Sequence, residues 1–161
     1  ASRGQIGGLW ESASADTGRQ IERKAKKAAA ARPQDEKTMA ARAEINRLIA
    51  DRDLPAAAAE YRRLLDAGVD IVFSEQSQLD LANQLQAEED YARAAKAYER
   101  LLKAYPTCAR AAEVRLILGL IYVRRLDRPE GARALLERAR ASLTDEGQKN
   151  LADQLLSEIA T

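Results

Sequence analysis

The 161-residue sequence contains no histidine. That absence removes Ser-His-Asp chemistry, imidazole acid–base work and histidine metal sites from this chain. One cysteine, Cys108, is present, so no internal disulfide can form and a reducing compartment is compatible. With no base beside it, Cys108 is expected to be a packed side chain rather than a nucleophile. Gly4, Gly7 and Gly8 precede no strand–helix unit, which leaves no phosphate-cradling loop. The longest apolar run, residues 116–123, counts eight residues including Gly119, against roughly 20 needed to span a bilayer. Twenty-six basic and 25 acidic side chains give a net charge of +1, too balanced for nucleic-acid binding by the whole domain. Aromatics are only 4%, and the interleaved aromatics that single-strand binders use are missing. The sequence does not open on Met and has no signal-peptide core, so it reads as a soluble, cytoplasmic piece of something longer.

What is abundant is Ala, Leu, Arg and Glu, a helix-forming composition poor in strand formers. The fold class expected is therefore all-α, in a domain large enough to bury a core without metals or disulfides. Residues 1–33 differ from the rest. A Gly/Ser/Ala stretch carrying Trp10 leads into a helix-prone run ending before Pro33, with seven basic against three acidic side chains, a local net of +4 that leaves −3 for residues 34–161. This reads as a basic arm or linker, partly helical, on a near-neutral body. Trp10, Arg23, Lys24, Lys26 and Lys27 are its candidate anchor to an anionic membrane surface or a membrane-protein complex; the plainer reading is a solvated helix.

From Asp35 onward the apolar spacing is helical. A first helix carries Met39, Ala43, Ile45, Leu48 and Ile49; a second starts at Leu54 with Pro55 in its first turn and stops at Gly68. Residues 69–73 are β-branched and apolar, read as a buried extended connector, and Ser74 is placed to cap the next helix. The pattern then recurs. Leu54, Ala57, Ala58, Tyr61, Leu64 and Leu65 return 37 residues later as Tyr91, Ala94, Ala95, Tyr98, Leu101 and Leu102. A third copy pairs an apolar helix over residues 109–126 with one begun by Pro129. Here Ala132, Leu136 and Ala139 answer Ala94, Tyr98 and Leu101 at an offset of 38, so the turn between the two helices holds one extra residue. Thr144 is the expected cap of a last helix, with Leu151, Leu155 and Ile159 along one side, suited to cover the end of a repeat stack.

These residues resemble the tetratricopeptide (TPR) family. Leu81-Ala82, Leu85, Ala94, Tyr98, Leu101 and Pro106 fall where its pattern places Leu-Gly, Tyr, Ala, an aromatic, a small or apolar residue and Pro. Leu118-Gly119 and Tyr122 match in the third copy, whereas Glu44-Ile45 departs from Leu-Gly in the first. The resemblance implies about three helix-turn-helix repeats (35–68, 74–106 and 109–143) in a short right-handed solenoid, closed by a capping helix over 144–160. It also implies that the first helix of each pair lines a concave groove for a partner protein or peptide. That groove would comprise Met39, Arg42, Asn46 and Ile49; Gln76, Leu79, Asn83 and Gln86; and Glu113, Leu116, Leu120 and Arg124, with Leu79, Leu116, Leu120 and Met39 exposed in one strip. Arg42 and Asn46 resemble half of the clamp by which some family members grip a C-terminal carboxylate. Asp80, Glu113 and Ile117 replace its other half, so an intramolecular partner for Arg42 is the alternative.

The function expected is a non-catalytic interaction or scaffold module with no cofactor and no metal. Its alternative is a structural appendage, self-associating or packed on a larger assembly. The Gly/Trp/basic N-terminus is similar to those of soluble repeat tails on bacterial membrane proteins, including some rhomboid-like proteins, which implies a membrane complex for that alternative.

Overall fold

A computed structural model describes residues 33–161. Among them are seven α-helices and no strand: α1 (Pro33–Ala50), α2 (Leu54–Asp66), α3 (Glu75–Ala87), α4 (Tyr91–Ala104), α5 (Ala111–Arg124), α6 (Pro129–Ser142) and α7 (Glu146–Ala160). The all-α class expected from composition is what is found. The chain divides into two compact units, Ala1–Ala40 and Ala41–Thr161. Of the first, the described part is residues 33–40, the opening turns of α1, with Asp35 and Glu36 where the helix dipole favours acid.

In the second unit most helix starts are set by side-chain caps. Asp53 accepts from the Ala56 amide, Ser74 from Ser77, Asp90 from Arg93 and Asp145 from Gln148. Asp145, rather than the expected Thr144, therefore starts the last helix. Its carboxylate is the stronger acceptor and stands one residue nearer the first free amides. The apolar helix expected over residues 109–126 is shorter, running Ala111–Arg124. Neither Arg110 nor Arg128, the residues that begin α5 and α6, offers a side-chain cap.

Helix ends are equally specific. Gly68 takes φ +72° after α2, and its amide and that of Val69 bond back to Leu65 and Leu64. This is the paired bonding that closes a helix with a left-handed residue. The same closure occurs at Arg52 (φ 62°) and Glu89 (φ 61°), where Asp53 reaches the Leu48 carbonyl and Asp90 the Leu85 carbonyl. Asp127 (φ 50°) is the left-handed residue after α5, but Arg128 reaches the Tyr122 carbonyl, one residue further back. The three positions, 52, 89 and 127, are spaced by 37 and 38.

Such short turns make neighbouring helices antiparallel. A Cβ built on Gly119 would stand 2.6 Å from Leu136, and one on Gly131 would stand 3.2 Å from Tyr122, so α6 runs opposite to α5. Along the chain α2 packs on α3, α3 on α4, α4 on α5, α5 on α6 and α6 on α7, and α5 also touches α7. Two apolar clusters result. One gathers Ile45, Tyr61, Leu81, Leu85, Tyr98 and Leu118, together with Ile71 and Phe73 from the irregular connector over 69–73. The other gathers Leu116, Ala132, Leu136, Leu143 and Leu155. α5 supplies both, Val114, Leu118 and Ile121 to the first and Leu116 to the second, which is why it is apolar around its whole circumference.

Candidate functional site

Within the second unit, helical periodicity puts Arg42 and Asn46 on one face of α1, Gln76, Asp80 and Asn83 on one face of α3, and Glu113, Ile117, Leu120 and Arg124 on one face of α5. Arg42 and Asn46 are exposed. The Arg42 guanidinium is turned inward, donating to the Val72 carbonyl at 3.2 Å and lying 5.8 Å from the Phe73 ring centroid. Arg42 thus has the intramolecular partner posed as the alternative to a carboxylate clamp. Ile49 is half-buried against the first cluster. Met39 is 69% exposed and belongs to the first unit.

On α3, Gln76 donates to Asp80 at 2.8 Å. Asn83 and Gln86 flank the Tyr98 hydroxyl, their side-chain oxygens 2.5 and 2.8 Å from it. A phenol has one proton, so it donates to one of these two oxygens at a time. Burial pushes the Tyr98 hydroxyl above its ordinary range, which keeps that proton in place. Tyr98 itself is fully buried and forms no part of an open site. On α5, Glu113 accepts from Arg110 at 3.4 Å, Leu120 is half-buried, and Arg124 donates to Glu158 of α7 at 2.8 Å.

Two of the expected lining residues are not at the surface. Leu79 is 5% exposed and Leu116 4%, each a member of an apolar cluster. The helices that carry them are covered on more than one side, α3 by α2 and α4, α5 by α4, α6 and α7, so these leucines are spent on lateral packing. Leu79 and Leu116 therefore do not contribute to an exposed apolar strip. Asp80 and Ile117, the next residues along each helix and 37 positions apart, are half-exposed. Comparison with family models, with curated proteins and with solved structures gives no match.

Sequence reasoning missed two features. The first is the pair of buried polar side chains, Gln78 and Arg115, which are also 37 residues apart. Gln78 uses its whole amide: its oxygen accepts from the Phe73 amide at 3.2 Å, and its nitrogen donates to the Tyr61 hydroxyl and the Ala97 carbonyl, both at 3.0 Å. Arg115 donates to the Pro106 carbonyl at 2.8 Å. A polar residue inside the Leu79, Leu81 and Leu85 stripe was the available signal. The second is an ion chain joining α2 to the α3–α4 turn. Arg62 bridges Glu88 and Asp90 at 2.7 and 2.8 Å, and Arg93 bridges Asp66 and Asp90 at 2.8 and 3.1 Å. Burial alone would raise the Asp90 carboxyl; the bonds from Arg62 and Arg93 outweigh it and hold the group below its ordinary value. Apart from Arg93–Asp90, three residues apart, no periodicity announces these pairs, because charges 26 to 28 residues apart meet only after folding.

Trp10, Arg23, Lys24, Lys26 and Lys27 lie outside the described residues. Among the described residues, no helix is long and apolar enough to cross a membrane, and no group of three or more Cys, Asp or Glu is placed to hold a metal.

Proposed function

We propose that this chain is a non-catalytic protein-interaction module of TPR-like type, about three helical hairpins closed by α7, which holds a partner peptide or helix along the first helices of its hairpins. The supporting observation is the recurrence of one turn. The left-handed residue after α1, α3 and α5 falls at Arg52, Glu89 and Asp127, with the same 37- and 38-residue spacing as the small and apolar packing positions. A chain that repeats both its turn and its packing positions is built by stacking hairpins, and stacking presents equivalent helices side by side. The binding stripe is then Arg42, Asn46, Gln76, Asp80 and Asn83, continued by half-exposed Ile117 and Leu120. This surface is polar over α1 and α3 and apolar at α5, so a suitable peptide pairs a hydrogen-bonding segment with one apolar anchor.

Panning a displayed random-peptide library on the protein tests this reading. Selected peptides are expected to lose at least about tenfold in affinity to the Asn83→Arg, Ile117→Arg double variant, since apolar anchors dominate such contacts. They should bind a control substituted on α6, Arg133→Glu, as before. No enrichment, or peptides indifferent to the double variant, would refute the proposal.

A further inference from the structure

Gln78 and Arg115 occupy corresponding places on α3 and α5, and each fastens the segment that precedes its helix. Gln78 does this with a neutral amide whose polar atoms are all used. Arg115 does it with one nitrogen, Nη2, and brings a full positive charge into a position only 7% exposed. Fastening needs no charge, as Gln78 demonstrates. Among the described residues no carboxylate lies within 4 Å of Arg115 and its Nε and Nη1 make no hydrogen bond, yet none of its nitrogens is both buried and unpaired, so those two open onto solvent. Burial, and then the nearby charge of Arg138, push its pKa down. A second cation has thus been set beside the first without an acid between them.

Both arginines line a cleft of about 320 Å³ between the 106–109 loop, the start of α5 and the end of α6. Its remaining wall includes Thr107, Cys108 and Ser142. The Thr107 and Ser142 hydroxyls make no hydrogen bond among the described residues, and neither does Arg138. The cleft wall therefore carries two guanidiniums and two hydroxyls and no carboxylate.

We infer that this cleft is an anion site that takes a phosphate-type dianion, bound between Arg115 and Arg138 with Thr107 and Ser142 completing its hydrogen bonds. Two guanidiniums match a charge of about −2, and a tetrahedral oxyanion has enough oxygens for four separate donors. A carboxylate has half the charge and two oxygens, and leaves donors idle. The site is independent of the peptide-binding face, and its test does not require that reading to hold.

Cys108, the sole cysteine of the chain, lies in the cleft wall and serves as a built-in reporter. The experiment follows alkylation of the full chain by uncharged N-ethylmaleimide, using intact mass, with chloride exchanged for inorganic phosphate at constant ionic strength. Saturable slowing by at least about threefold is expected once the site fills. Arg138→Gln, on an exposed residue, should abolish that protection while leaving helix content and the phosphate-free rate within about twofold. Arg115→Gln should do the same, since the amide can keep the bond to Pro106; if it does not fold, Arg138→Gln decides alone. Phenyl phosphate protecting at lower concentration than inorganic phosphate assigns the site to monoesters, and the reverse order assigns it to free phosphate. Lack of saturable protection by either, protection that survives Arg138→Gln, or equal protection by acetate overturns the proposal.

Discussion

The hairpins α3–α4 and α5–α6 solve the same packing problem with different forces. In α3–α4 the turn is capped by Asp90, tied to α2 through Arg62 and Arg93, and braced by the saturated amide of Gln78. In α5–α6 the turn begins at Arg128 with no cap bond, α5 is apolar on all sides, and Gly119 lets Leu136 come against the helix backbone. Ala82 corresponds to Gly119, 37 residues earlier. One hairpin is thus positioned by directional polar bonds and the other by steric fit. Polar positioning depends on pH and on complete satisfaction of every partner; steric fit depends on volume.

The largest expected effect breaks the polar hairpin. Gln78→Leu keeps the volume approximately but strands the Phe73 amide and takes one partner from the Tyr61 hydroxyl, while the Ala97 carbonyl keeps its helical amide. At 1–3 kcal/mol for a stranded buried group, the loss is about 2–4 kcal/mol in denaturant unfolding. Arg115→Gln, at the corresponding position, is expected to cost ~1 kcal/mol or less. Equal costs at the two positions would show that the Gln78 network is not what braces α3–α4.

Next comes the steric hairpin. Gly119→Ala places a methyl 2.6 Å from Leu136 Cδ2, and Leu136 is itself fully buried, so it cannot simply swing away. Overpacking of this kind costs about 1–3 kcal/mol, which outweighs the gain in helix propensity. The double variant Gly119→Ala, Leu136→Val should recover part of that loss relative to the sum of the single substitutions. Strict additivity in a double-mutant cycle would mean that the two residues do not meet.

A smaller effect separates the hairpins by pH. The folded-state pKa of Asp90 is depressed, so its contribution is fully present above the ordinary aspartate value near 4 and drains away as pH falls through the lowered folded value. The Asp90 side chain is 16% exposed, and the contribution is on the order of 1 kcal/mol at neutral pH. Thermal unfolding of wild type and Asp90→Asn should differ at pH 7 and converge in strong acid. A difference that persists unchanged at pH 2 would assign the effect to something other than carboxylate charge.

The sequence made the local elements legible and left the lateral ones hidden. Gly68, Pro55, Ser74 and the 37-residue echo of Tyr61 in Tyr98 mark helix ends and core faces because each acts within its own hairpin. Leu79 and Leu116 were misassigned to an open groove for the opposite reason: a single amphipathic pattern shows which face is apolar, but not how many neighbours will cover it. Gln78 and Arg115 illustrate the same limit, since a polar residue in an apolar stripe is visible in the sequence and its partners are not. The ion chain from Asp66 to Glu88 is further still from view, because it joins helices whose approach is a product of the fold.

The smallest prediction transfers one hairpin's device to the other. Arg128 has the backbone of its counterparts (φ −122°, ψ 63°, against −92°, 68° at Asp53 and −84°, 69° at Asp90) but not their side chain. Arg128→Asp would supply α6 with the carboxylate that α2 and α4 already have, accepting from the first free amides beyond Pro129. A new cap of this kind stabilises by about 0.5–1 kcal/mol. The turn at Asp127 carries one more residue than those at Arg52 and Glu89, and that residue lies on the α5 side, consistent with Arg128 bonding to Tyr122 rather than to Val123. An increase in melting temperature is expected. No gain would mean that the shared backbone at residue 128 does not suffice for capping, since Asp127 already stands two residues before α6 as Arg52 and Glu89 stand before α2 and α4.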